Sequence, residues 1–80
     1  MSAAGWAKED DKLVKVVTTK DFKAAMAYVN QVAELAEAAN HHPDIEVHWN
    51  TVVLRLWTHS AGGITDQDLA LADQIDGLDP

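Results

Sequence analysis

Phe22-Lys23-Ala24-Ala25-Met26-Ala27-Tyr28-Val29-Asn30-Gln31-Val32-Ala33-Glu34-Leu35-Ala36-Glu37-Ala38-Ala39-Asn40-His41-His42-Pro43 reads as a helix followed by its own stop signal. From Phe22, the apolar residues Ala25, Met26, Val29, Val32, Ala33 and Ala36 recur with the i, i+3, i+4, i+7 rhythm, while Lys23, Asn30, Gln31, Glu34 and Glu37 fall mostly off that stripe. A long helix patterned this way must lay its apolar side on a partner surface. Pro43 disfavours the helical conformation at His42, and Asn40 can take the left-handed conformation of a C-cap, so the helix must end there. The break carries two adjacent imidazoles in a chain with four histidines. Because histidine titrates near neutrality, such a pair is a candidate for proton transfer; the plainer alternative is a capped helix end that happens to carry histidines.

On the N-terminal side, Met1 to Gly5 read as a loose terminus. Trp6-Ala7-Lys8-Glu9 and Lys12-Leu13-Val14-Lys15-Val16-Val17 then flank an acidic turn at Asp10-Asp11, the pattern of a β-hairpin. Thr18 supplies a hydroxyl for the helix N-cap, with Asp21 three residues on. On the C-terminal side, Ile45-Glu46-Val47-His48-Trp49 alternates apolar and polar residues, and Asn50-Thr51 can turn the chain into a second arm, Val52 to His59. In that arm Val52, Leu54, Leu56 and Thr58 share one face and Val53, Arg55, Trp57 and His59 the other, so His59 is expected to project from the more polar face near the strand's end. Ser60-Ala61-Gly62-Gly63 reads as a flexible connector, and Thr65-Asp66-Gln67-Asp68 opens a second helix running to about Gly77 with the stripe Leu71, Ala72, Ile75 and Leu78. Asp68 lies on that buried stripe. It reads either as a capping carboxylate folded back onto the Thr65 N–H or as an acid that orients an imidazole and fixes its tautomer; one side chain can do both.

The element order is therefore β-β-α-β-β-α. The two hairpins can join into one four-stranded antiparallel sheet with both helices on its aliphatic face, a two-layer α+β fold forming one domain over residues 1–80. A chain this short buries a modest core, which makes oligomerisation a natural source of further burial. With no cysteine, disulfides, thiolate nucleophiles and cysteine-type zinc sites fall away. The absence of a signal-like segment or a membrane-length apolar run makes a cytoplasmic protein without a membrane partner the expectation. A formal charge of −7 would repel phosphate backbones, so direct nucleic-acid binding is not expected.

Glu37, three residues, His41-His42-Pro43, five residues, Trp49, nine residues, His59, eight residues and Asp68 together make a spaced pattern. With it the chain resembles the pterin-4a-carbinolamine dehydratase family. The resemblance extends from Gly5-Trp6 to the last helix and includes Lys20-Asp21-Phe22 and Ala61-Gly62-Gly63-Ile64-Thr65. It implies dehydration of the 4a-hydroxytetrahydropterin left by aromatic amino acid hydroxylases to the quinonoid dihydropterin, which a reductase can recycle, with no metal or organic cofactor. Carried over by position, His41 and His59 would be the acid/base groups, His42 would contact the pterin and Asp68 would orient or tune a histidine. Glu37 and Pro43 would shape the site, with the aromatic Trp49 among the substrate-binding positions. The chain has fewer residues ahead of Trp6 than family members usually carry, and Val17, Thr19 and Ile45 stand where aromatic rings are frequent, which predicts a reshaped pterin pocket.

A metal site is disfavoured, because no His-x-x-x-His pair is present and the adjacent His41 and His42 would point apart. His48 reads as a surface residue, and Trp49 and Trp57 fit core or interface positions better than a ligand platform. The rival function is a binding or dimerisation module of the same fold: the resembled family includes members that associate with a transcription factor, and an open four-stranded sheet has edges to cover. A homodimer or homotetramer is expected on either reading.

Overall fold

A computed structural model describes residues 5–80; Met1 to Ala4, part of the expected loose terminus, lie outside the described residues. The elements are β1 (Ala7–Glu9), β2 (Lys12–Thr18), α1 (Phe22–Ala39), β3 (Asp44–His48), β4 (Thr51–Leu56), a 3-10 turn (His59–Ala61) and α2 (Asp66–Asp76). The β strands form one antiparallel sheet in the order β1-β2-β4-β3, in which the two hairpins meet along β2 and β4. Asp10 and Asp11 turn the first hairpin with φ of 50° and 62°, a left-handed pair that aspartate tolerates better than most residues.

The register sorts the side chains by face. Leu13 opposes Leu56, Lys15 opposes Leu54 and Val17 opposes Val52, so these six point the same way, with Val14, Val16, Val53 and Arg55 on the other side. Leu13, Val17, Val52, Leu54 and Leu56 join Ala25, Tyr28, Val32 and Ala36 of α1 and Leu71, Ala72 and Ile75 of α2 in one core. Both helices thus cover the same face, whereas Val16 on the opposite face is 62% exposed. Lys15 is a charge on the core side, and it is tolerated because its Nζ reaches Asp76 Oδ1 at 2.5 Å while the Trp6 indole N–H donates to the same oxygen at 2.9 Å. This clasp ties the end of α2 to the first hairpin.

Four local expectations need correction. The inward stripe of α1 is Ala25, Tyr28, Val32 and Ala36; Ala33 is exposed and Tyr28 fills the core, because the small alanines let the helix approach the sheet and leave room for the ring. Thr18 does not cap α1: it stays in the β2–β4 ladder opposite Thr51, pairing continues through Thr19 N–H to Asn50 O at 2.8 Å, and Asp21 becomes the cap, its Oδ1 accepting the Ala24 N–H at 2.8 Å. The β3–β4 turn is Trp49-Asn50 rather than Asn50-Thr51, since Asn50 is anchored to Thr19 on both its carbonyl and its side-chain amide. Finally, β4 ends at Leu56, because Thr58 leaves the ladder to pair with Gly63, with Thr58 N–H to Gly63 O at 2.9 Å. The supposed flexible connector is therefore a closed loop. Gly62 holds a φ of 69° there and donates to His59 O, a conformation that favours glycine. No helix among the described residues is long and apolar enough to cross a membrane.

Candidate active site

The end of α1 is a Schellman turn. Asn40 is left-handed (φ 49°, ψ 41°), its N–H reaches Glu37 O at 3.2 Å, and the His41 N–H reaches back to Ala36 O at 3.1 Å. The chain leaves the helix axis at Asn40, and the two imidazoles separate. His41 turns inward, its side chain 13% exposed, and its Nε2 lies 2.5 Å from Asp68 Oδ1; His42 turns outward, 55% exposed, to pair with Glu37 Oε2.

Asp68 is 0% exposed, and every hydrogen-bond partner of its carboxylate is a donor. Oδ2 accepts the Thr65 N–H at 2.8 Å and the Thr58 hydroxyl at 2.8 Å, and Oδ1 faces His41. Both readings of this residue hold together: it closes the first turn of α2 and it holds an imidazole. Burial pushes its carboxyl upward, but the bonds from His41, the Thr65 N–H and the Thr58 hydroxyl, with the attraction of His41, outweigh burial and keep it below the usual 3.8. An ionised Asp68 only accepts, so the geometry assigns the proton between them to His41 Nε2 and leaves Nδ1 as the nitrogen free of the carboxylate. The Thr65 hydroxyl also points to Asp68 Oδ2 at 3.4 Å and lies 2.7 Å from the Thr58 hydroxyl, so the two threonines and the carboxylate form one hydrogen-bonded cluster.

His59 comes from the 3-10 turn rather than from the strand, and its ring stacks on Trp57 at 4.4 Å between centroids with 12° between planes. Its side chain and those of His41 and His42 meet in one cleft of about 410 Å³, walled further by Trp57 and Thr58 and completed by Asn40, Ser60 and Gln67. Of the residues expected at the site, His41, His42 and His59 line this cleft, and Asp68 stands directly behind His41. Glu37 reaches it through His42. Pro43 follows the histidines without lining the cleft, and His48 is a surface residue paired with Glu46.

Trp49 does not join them. It sits 67% exposed at the tip of the β3–β4 hairpin, whose register runs from His48–Thr51 at that tip to Asp44–Arg55 at the other end. At ~3.3 Å per residue, roughly 17 Å of β4 separates the tip from the cleft. Val17, Thr19 and Ile45 also lie outside the cleft wall. Thr58 and Trp57 were missed as site residues. A hydroxyl at an apolar-face position of a strand was the available signal for Thr58, since a buried polar group must find a partner; nothing local marked Trp57. Among the described residues, no three His, Asp or Glu side chains are grouped as a metal ion would require.

Fold and site together define a small α+β protein that presents imidazoles, one of them backed by a buried carboxylate, around an open cleft. The chain belongs to the pterin 4 alpha carbinolamine dehydratase family, whose sequence profile matches residues 1–78. A relative from Thermomicrobium roseum, provisionally named pterin-4-alpha-carbinolamine dehydratase, is 55% identical over 71 residues, covering 89% of this chain and 76% of its own. One from Nocardia farcinica with the same provisional name is 51% identical over 73 residues, covering 91% and 77%. The crystal structure of a transcriptional coactivator/pterin dehydratase from Brucella melitensis superimposes with a TM-score of 0.86 at 33% identity, covering 91% of this chain and 80% of that one. A pterin dehydratase-like protein described as a RuBisCO assembly factor in the alpha-carboxysome shares the fold alone, with a TM-score of 0.72 at 19% identity over 89% and 82% of the two chains.

Proposed function

We propose that this protein dehydrates a 4a-hydroxytetrahydropterin to the quinonoid dihydropterin by histidine acid/base catalysis, in support of tetrahydrobiopterin recycling. In this step the C4a–O bond breaks as the electron pair of the adjacent ring nitrogen forms a C=N bond. An acid protonates the departing oxygen so that water leaves, and a base takes the proton from nitrogen. The observation that carries the reading is the convergence of His41 and His59 on one cleft, in a member of this family, with Asp68 holding His41 from behind. One imidazole serves as acid and the other as base, and His42 contacts the pterin. The reaction needs no cofactor beyond these groups.

The test is to generate the carbinolamine enzymatically and follow its dehydration by ultraviolet absorbance. The protein should exceed the spontaneous rate, and His41→Ala and His59→Ala should each reduce the acceleration without changing oligomer size. A rate equal to the spontaneous one sinks the proposal. A second reading, a dimerisation or binding module acting on a protein partner, is favoured by the uncovered sheet face with its exposed Val16 and by the open edges at β1 and β3. On either reading the protein is a homodimer or homotetramer, measurable by light scattering, and its net charge of −7 argues against direct nucleic-acid binding.

A further inference from the structure

We infer that Trp57 is a positioning residue for His59, holding the imidazole by its face so that both ring nitrogens stay available in the cleft. The inference rests on the reading of His59 as an acid/base group. Among the described residues, His41, His42 and His48 each place a ring nitrogen against a carboxylate. His59 makes no such bond. It is an exposed residue on a three-residue 3-10 turn, where an unrestrained imidazole would exchange between staggered rotamers. The restraint present is the stack on Trp57, at 4.4 Å and 12°.

A carboxylate would fix the ring at the cost of one nitrogen, which suits His41 with Asp68 behind it. A stack fixes the ring plane and uses neither nitrogen. The indole is itself held: Leu13 opposes Leu56 in the ladder, so Lys12 faces Trp57 one step further on, and Lys12 Nζ lies 4.3 Å from the Trp57 ring centroid. Lys12, Trp57 and His59 therefore run as one chain of contacts from β2 into the cleft, which ties the exposed turn to the sheet.

The experiment combines kinetics with proton NMR on the full-length protein. In the wild type, the His59 ring protons should be shifted upfield by the indole ring current. Trp57→Leu should abolish that shift and lower kcat about threefold to tenfold with KM unchanged, in line with the population change that an aromatic pair sustains. Trp57→Phe, which keeps a stacking face, should retain most of both. In a His59→Ala background, Trp57→Leu should cost nothing more. A wild-type kcat in Trp57→Leu, a raised KM with kcat intact, or unshifted His59 protons in the wild type would each overturn the inference. A protein that accelerates no dehydration removes the proposed function instead. The clamp is then read from the His59 protons alone, standing if Trp57→Leu moves them and falling if it does not.

Discussion

Asp68 is the residue on which the geometry of the cleft depends most. Its two oxygens gather donors from the end of α1, the end of β4 and the start of α2, so one carboxylate sets the relation of three elements. Asp68→Asn keeps the shape but offers an amide where an anion was needed. A buried hydrogen bond to a charged group contributes about 1.5–3 kcal/mol, and the loss of orientation at His41 should lower kcat roughly tenfold to a hundredfold, as measured in the absorbance assay. Trp49 stands at the opposite extreme: it holds a φ of 54° while 67% exposed, so the backbone is strained and the ring returns little burial. Trp49→Asn should therefore raise stability by up to about 1 kcal/mol in urea unfolding. It should also leave dehydration unchanged, which tests whether Trp49 contacts substrate at all.

At the scale of elements, the decisive feature is how α1 ends. Asn40 in the left-handed region releases His41 and His42 from the helix axis and directs one inward and the other outward. Asn40→Gly should be neutral or nearly so. Asn40→Ala keeps the Cβ but loses the short polar side chain that makes the left-handed conformation tolerable, and should cost about 1 kcal/mol, with a fall in kcat that Asn40→Gly does not share. The comparison separates loss of the amide from loss of the turn, since both variants lack the side-chain amide. Much of this was legible beforehand, because Asn40 and Pro43 flank the pair as stop signals. The 3-10 turn that carries His59 was not, because strand alternation continues in the letters through Trp57-Thr58-His59 and only the pairing of Thr58 with Gly63 breaks it.

For the molecule as a whole, two buried groups make stability depend on pH. The Asp68 carboxyl is held below the usual 3.8, so its contribution is complete above that value and is lost as the pH falls through its folded-state titration. The Tyr28 hydroxyl is raised above 10.0, by burial first and then by the nearby Asp76, so its contribution is complete below 10.0 and is lost as the pH rises through its folded-state titration. Thermal unfolding scanned across pH should give a plateau with an acid limb and an alkaline limb. Asp68→Asn should flatten the first and Tyr28→Phe the second. Limbs unchanged by these variants would assign the pH dependence to other groups.

The sequence by itself determined the order of elements, the sheet face that receives the helices and the family, because those depend on local periodicity, turn chemistry and spacing along the chain. It also marked His41, His42, His59 and Asp68 as candidates. Tertiary structure decided which of them meet: the closed loop at Thr58–Gly63 brings His59 to the end of α1, burial gives Asp68 its donors, and the hairpin register sends Trp49 to the far end of the sheet. It decided also that His41 is held by a carboxylate and His59 by an indole. These contacts join residues whose spacing carries no period, so their geometry exists only once the sheet and the two helices have packed.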